Sequence, residues 1–325
     1  MTFTRTLVLL LFIAASGIAQ AQGSAAAYPS RPIQVIVTTA AGALNDVETR
    51  LYLQKVSEAT NWKFVVDYVL GAGGTLAYAR TARATPDGYL LLSATTSFTI
   101  APLAYKNLAY DPIKDFTPVS LMSDTPLVLA VYPELPAKSA SEYIALTKSK
   151  SGKLNFGTAG AGGITHLAGA LFHNMTNTKV TFVHYKGGAP SFVDLMAGRI
   201  DAVISSPSSQ ASLAKAGKVR LVGITSRERV ALLPDVQTFA EQGLPDFNSS
   251  FWVGFSAPAN TPASIVSRLN AEFVKVTKAP DLIEKQKQNG TILVGSTPEQ
   301  FQKHIASELQ RFRKLVKDVD LDIAE

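Results

Sequence analysis

The chain has 325 residues and a formal net charge of +6, a length that suggests two domains of ordinary size. Hydrophobic residues make up 46% and charged residues 17%, so a packed core is expected and disorder is not. The absence of cysteine excludes disulfides, thiolate metal sites and a lipid-anchored cysteine, and no run of five like charges marks a nucleic-acid surface.

In chain order, the first element is a leader. Arg5 is the lone charge before residue 28, Leu7 to Ala15 is apolar, and Ala19-Gln20-Ala21 gives a small-residue cleavage pattern. This reads as a cleavable signal peptide over residues 1–21, too short in its apolar part to span a bilayer. Pro32 to Thr38 (PIQVIVT) reads as a buried strand, and Asn45 or Asp46 as the cap of a helix to about Thr60, with Val47, Leu51, Tyr52 and Val56 on its apolar face. Phe64 to Leu70 is a second strand. Gly71 to Gly74 open a second helix that carries Leu76, and Tyr89 to Ala94 is a third strand, ending in the hydroxyl-rich run Thr95-Thr96-Ser97. The alternation predicts a parallel sheet.

The middle of the chain repeats the plan. Strands are predicted at Leu127–Val131, Leu154–Gly157, Val180–Tyr185, Ala202–Ser205 and Val219–Thr225. Helices are predicted over Ser139–Lys150 with Ser139 as cap, from the glycine loop to about Met175, from Gly187, and over Ser208–Ala216. Phe251 to Ala257 is extended again, followed by helices at Ser264–Thr277, Ala279–Gln288 and Pro298–Val319. The last helices need a sheet to pack on, and the first unit supplies one. The expected organisation is therefore α/β and two-lobed. Residues 22–126 form a first lobe, 127–250 a second, and 251–325 return to the first, with crossover strands near 123–131 and 250–257 and a ligand cleft between the lobes.

The chemistry-bearing motifs are mostly negative. His166, His173, His184 and His304 form no H-E-x-x-H, there is no G-x-S-x-G, and neither GAGGTL nor GTAGAGGIT fits a dinucleotide or P-loop fingerprint. No catalytic residue, metal or cofactor is assigned. Three loops do share one pattern of strand, small residues and helix start: Thr38–Asp46 (TTAAGALND), Gly71–Thr75 (GAGGT) and Gly157–His166 (GTAGAGGITH). Small side chains let backbone amides approach a ligand, and helix N-termini favour a carboxylate or phosphate. The same glycines also serve ordinary tight turns.

The ordered motifs YPSRPIQVIV at Tyr28, GAGG at Gly71, ATPDGYLLL at Ala84, YDPIKDFTPVS at Tyr110 and LNFGTAGAGG at Leu154 lead on to HLAG at His166. YKGGAPSFVDLMAGRID at Tyr185, AGKVRLVGITSRER at Ala216, LPDVQTFAEQGLP at Leu233, TPASIVSRLN at Thr261 and GSTPEQF at Gly295 complete the series. Across nearly the whole mature chain this resembles the Bug-type solute receptors, the extracytoplasmic components of tripartite tricarboxylate transporters. The resemblance implies a monomeric, two-lobed type II periplasmic binding protein with mainly parallel sheets. It would pass a small organic acid to a membrane permease, with no enzymatic activity.

By the same resemblance, one jaw consists of Thr38, Ala40, Ala41, Gly42, Asn45 and Asp46 with Thr95, Thr96 and Ser97. The other consists of Thr158, Ala159, Gly160, Thr165 and His166 with Ser205 and Ser206. His166 reads equally well as a packing residue at the helix start. The chain departs from the family pattern in four places. Ala40-Ala41-Gly42-Ala43 replaces a proline and glycine pair, Ala170 a glutamate, Ser205 an aspartate and His184 a proline. Without the aspartate a ligand ammonium loses its partner, which favours a plain carboxylate over an amino acid. Phe98, Tyr185, Phe251 and Trp252 would suit an aromatic acid if they line the cleft, but core is the commoner place for a single aromatic. A sensor partner of a membrane kinase, and a hydrolase or isomerase on the same fold, are the alternative functions.

Overall fold

The computed structural model describes residues 28–105 and 107–319; the leader expected over 1–21 lies outside them. Strands run in chain order as β1 (Ile33–Val37), β2 (Phe64–Tyr68), β3 (Leu90–Thr95), β4 (Phe116–Pro126), β5 (Val128–Val131) and β6 (Asn155–Thr158). They continue as β7 (Thr181–His184), β8 (Ala202–Ser205), β9 (Arg220–Ile224), β10 (Ser250–Pro258) and β11 (Ile292–Leu293). The helices are α1 (Leu44–Thr60), α2 (Thr75–Ala82), α3 (Thr96–Ala104), α4 (Ala140–Ser149) and α5 (Ile164–Met175). They continue as α6 (Gly188–Met196), α7 (Pro207–Lys215), α8 (Ala263–Val276), α9 (Pro280–Asn289) and α10 (Pro298–Val319).

Two sheets result, a six-stranded one in the order β11-β4-β10-β3-β1-β2 and a five-stranded one in the order β7-β6-β8-β5-β9. The two-lobed α/β plan holds, but both sheets are mixed rather than mainly parallel. β1 pairs in parallel with β2 and β3, while β10 runs antiparallel to β3 and to β4. In the second sheet β6 is parallel to β7 and β8, and β5 is antiparallel to β8 and β9. The antiparallel strands are the ones that carry the chain between sheets.

Strand directions determine how the two sheets face each other. β4, antiparallel to β10, shares its direction with β1 and β3, and it passes through Leu127 straight into β5. The carboxyl ends of β1 and β3 therefore point at the second sheet. β8 opposes β5 and β6 follows β8, so the carboxyl ends of β6, β7 and β8 point back at the first. The crossings are tied together at one buried residue. Leu127 N–H donates to Thr225 Oγ1 (2.8 Å), Thr225 N–H donates to the Leu127 carbonyl (2.9 Å), and the Thr225 hydroxyl donates to the Ser249 carbonyl (2.6 Å).

Each sheet buries both faces with period-two alternation. On β1, Ile33 and Val35 face one cluster with Tyr52, Phe255 and Phe273, while Ile36 faces another with Tyr78, Phe98, Trp252 and Phe301. Phe98 and Trp252, weighed above as cleft aromatics, are thus core. The stripe on α10 serves two cores: Phe301, Ile305 and Leu309 pack on the first sheet, and Phe312 and Leu315 join Ile100 in the main core of the second.

Several local expectations change. α1 begins at Leu44 with Ala43 in the cap position, so neither Asn45 nor Asp46 caps it. Asp46 instead reaches back from the first turn to accept the Gly42 amide (2.8 Å), close to what the acid of a capping box does. Val47 is 46% exposed rather than on the apolar face of α1, and Leu76 on α2 is 56% exposed. After β2 the backbone takes positive φ at Gly71, Ala72, Gly73 and Gly74, making a 3-10 turn that delays α2 to Thr75. Thr96 opens α3 where a strand end was expected. β4 was visible only near residues 123–131. Pro118 and Pro126 weaken its strand pattern, and a register shift on β10 beside Pro118 accommodates the missing amide. The Ser139 cap is as expected, accepting the Glu142 amide at 3.2 Å.

Candidate functional site

The gap between the facing carboxyl edges collects the glycine-rich loops. From the first sheet come the loops after β1 and β3, and from the second those after β6, β7 and β8. Five helices begin there without a side-chain cap: α1 at Ala43, α3 at Thr95, α5 at Gly163, α6 at Gly187 and α7 at Ser206. An uncapped start is not distinctive alone, since α8 and α9 share it. Convergence is. Each start favours an anion by roughly 0.3–1 kcal/mol and offers free amides to bind it.

In the first jaw, Ala40, Ala41 and Gly42 are exposed, and Gly42 takes φ 84°, a conformation that suits glycine. Asp46 is buried behind them. Its carboxylate accepts from Gly42, from the Tyr68 hydroxyl (2.8 Å) and from Arg50 Nε (2.9 Å). Burial opposes its charge, but these donors outweigh burial and hold its pKa below the usual carboxylate range. Asn45 is also buried, and its side-chain carbonyl accepts from Ser93 (2.8 Å) and Thr49 (3.3 Å) while its amide reaches Thr38 Oγ1 at 3.4 Å. Asn45 and Asp46 therefore hold the loop from behind instead of pointing into the gap. Thr95 is buried, and the Thr96 hydroxyl is occupied by β10, donating to the Ser250 carbonyl (3.0 Å) and accepting the Trp252 amide (3.1 Å). Ser97, at the start of α3, is exposed.

In the second jaw, the glycines of NFGTAGAGG divide their work. Gly157 is packed so closely that a Cβ would lie 2.4 Å from Ile200, whereas Gly160 and Gly162 take positive φ of 155° and 67°. Thr165 turns back to accept the Ala159 amide at 2.9 Å, and Gly187 donates to the Ala159 carbonyl at 2.9 Å. His166 is buried and accepts the Gly162 amide through Nδ1 (3.1 Å), with its ring edge-on to Phe182 and His184. Burial, with a smaller contribution from His184, lowers its pKa to about 4, so the ring is neutral near pH 7. It braces the loop from within. Thr158 is buried and pairs with His184. Ser205 accepts from the Gln210 amide (2.9 Å) and lies 3.2 Å from Ser209, and Ser206 contacts Ser209 at 3.1 Å.

Sequence reasoning missed the supports: Tyr68 and Arg50 behind Asp46, Ser93 and Thr49 behind Asn45, and His184 beside Thr158. Tyr68, Ser93 and His184 lie 22 to 48 residues from their partners with no local spacing to mark them, whereas Arg50 and Thr49 stand one helical turn from Asp46 and Asn45, an i,i+4 spacing that could have found them. A separate cavity of about 360 Å³ lies behind the crossing strands, lined by Asp124, Thr225, Asn248, Glu308 and Arg311 among others. Its three carboxylates, Asp124, Asp246 and Glu308, outnumber Arg227 and Arg311 and make it a poor anion site.

A profile of the tripartite tricarboxylate transporter family receptor matches residues 49–321. The chain is similar to the protein BugT of Bordetella pertussis, at 34% identity over 324 residues and 98% of each chain. It is also similar to two solved structures. One, from R. palustris and solved with adipate, shares 30% identity at a TM-score of 0.78, over 92% of this chain and 100% of that one. The other, MatC from Rhodopseudomonas palustris with bound malate, shares 30% identity at a TM-score of 0.74, over 89% and 100%. With its two facing jaws and this match over most of its length, the chain belongs to the tripartite tricarboxylate transporter receptor family.

Proposed function

We propose that the protein captures a small organic carboxylate between its two lobes in the periplasm and delivers it to a tripartite tricarboxylate-type membrane permease, without chemical turnover. The observation that carries this reading is the convergence of five uncapped helix starts from two sheets on one gap. Those amides hold a carboxylate without burying a fixed cation opposite it, so the ligand can be released as well as held. Ala40, Ala41 and Ser97 on one side, and Gly160 and Thr158 on the other, are the contacts this reading assigns, with Gly42 and Ala159 shaping the loops because their amides are taken by Asp46 and Thr165. Ser205, hydrogen-bonded only to neutral partners, offers no charge to an ammonium group. Plain mono- or dicarboxylates are therefore favoured over amino acids. The relatives solved with adipate and with malate are consistent with that class.

The test is native mass spectrometry of the purified protein, followed by a thermal-shift panel of adipate, malate, succinate, aromatic acids, glutamate and aspartate. At least one plain carboxylate is expected to raise the melting temperature and to be recovered unaltered. Tight binding of glutamate with no response to any plain carboxylate would sink the ligand class, and a chemically altered ligand would sink the receptor reading.

A further inference from the structure

His184 ends β7 directly across from Thr158, its register partner on β6. Register partners in parallel strands project to the same face, and here the side chains meet: Thr158 Oγ1 lies 2.7 Å from His184 Nδ1. The same hydroxyl reaches the Gly160 carbonyl at 3.4 Å. His166 from α5 stands edge-on to His184, with ring centroids 4.6 Å apart. Because His166 Nδ1 accepts the Gly162 amide, that nitrogen is bare and the neutral ring keeps its hydrogen on Nε2. Protonating His166 would break the bond that braces the loop. His184 is exposed and its Nδ1 contact survives protonation, with the donor reversed.

The Thr158 hydroxyl has one hydrogen. While His184 Nδ1 is bare, Thr158 gives that hydrogen to it. Once Nδ1 carries a proton, it becomes the donor, and the Thr158 hydrogen is free for the Gly160 carbonyl or for an anion in the gap. We propose that His184 makes the second jaw proton-linked: capture of a ligand carboxylate is coupled to uptake of one proton from solvent on His184 Nδ1, which turns the Thr158 hydroxyl toward the carboxylate. This rests on the carboxylate reading of the gap and adds its regulation.

The surrounding charges are few. β6 contributes no titratable group, α5 contributes His166, and Lys186 follows His184 in the chain and is exposed. Asp194 on α6 is occupied by the Tyr185 hydroxyl (2.7 Å) and by Arg199 (2.9 Å). The side of the ring packed against His166 and Phe182 is desolvated, which lowers the His184 pKa and favours the neutral ring in the free protein. A bound anion favours the charged ring and raises the pKa. Affinity then tightens as pH falls from the bound pKa to the free one, by up to about tenfold per pH unit. Protonation of the ligand itself acts in the opposite direction, so tightening on acidification identifies the protein group.

The experiment is calorimetric titration of the full mature protein with adipate and with malate, from about pH 8 to about pH 5.5. Two buffers of different ionisation enthalpy count the protons taken up. The wild type is expected to bind at least about threefold more tightly at the acid end, with net proton uptake. His184→Gln, which can still accept from Thr158 but cannot titrate, should lose both, and His184→Asn serves if that variant does not fold. Wild-type affinity that is flat or weaker on acidification overturns the proposal, as does an unchanged pH dependence in the variants. Failure of every carboxylate in the thermal-shift panel to bind at any pH overturns the carboxylate reading with it, an outcome distinct from binding without pH dependence.

Discussion

His173 shows at residue scale how a polar side chain becomes core. It is 4% exposed, packs edge-on against Phe156 and Phe172, and bonds Thr178 Oγ1 through Nδ1 at 2.7 Å. Burial lowers its pKa to about 3. The unfolded chain, with an ordinary value near 6.5, binds a proton between these limits that the folded chain does not. Stability is therefore lost as pH falls through that window, by up to about 1.4 kcal/mol per pH unit. His173→Gln should remove this share, narrowing the difference in unfolding free energy between pH 7 and pH 5 by about 2 kcal/mol in urea titrations. An unchanged difference would show that the ring is charged in the folded state. His166 and His173 lie seven residues apart on one helix and neither could be assigned from sequence. Gly162 and Thr178 lie only four and five residues away, but the burial that fixes both roles comes from Phe182 and Phe156, which the fold brings alongside.

At the scale of elements, boundaries were legible where a local signal exists. Ser139 caps α4, and the β-branched run Ile33–Val37 is a strand, because both depend on neighbours within a few residues. β4 and α3 were not legible, because β4 takes its conformation from β10 and α3 from its place between two cores. Gly254 on β10 illustrates that dependence. A Cβ there would lie 2.4 Å from Phe301 and 2.9 Å from the Ser120 carbonyl of β4, and backbone cannot yield as a side-chain tip can. Gly254→Ala is expected to cost about 3 kcal/mol by overpacking. Gly217→Ala, with φ 68° and open space around it, should cost about 1 kcal/mol of backbone strain. Equal urea midpoints for the two variants would argue against so close a packing of α10 on β10.

At the scale of the whole molecule, the two sheets are joined where β4 runs into β5 and where the chain returns to β10, and Thr225 bonds to both crossings. Hinge motion concentrates in such short connections. Thr225→Val keeps the shape but leaves the Leu127 amide without its acceptor and the Ser249 carbonyl without its donor. It should lower stability by about 2 kcal/mol and broaden the small-angle scattering profile of the ligand-free protein. An unchanged urea midpoint would show that this threonine does not tie the crossings.

The sequence by itself determined the alternation of strands and helices, the small-residue loops at strand ends and, through its ordered motifs, the receptor family. All of these depend on local periodicity, turn chemistry or motif order. The tertiary structure decided which loop residues are free to meet a ligand. Asn45, Asp46, Thr96 and His166 looked like contacts, yet each spends its polar atoms on a partner supplied by another strand, helix or loop turn. Ala41, Ser97 and Gly160 keep theirs less encumbered. A hydrogen bond is a statement about two groups, and one position in a sequence names only the first.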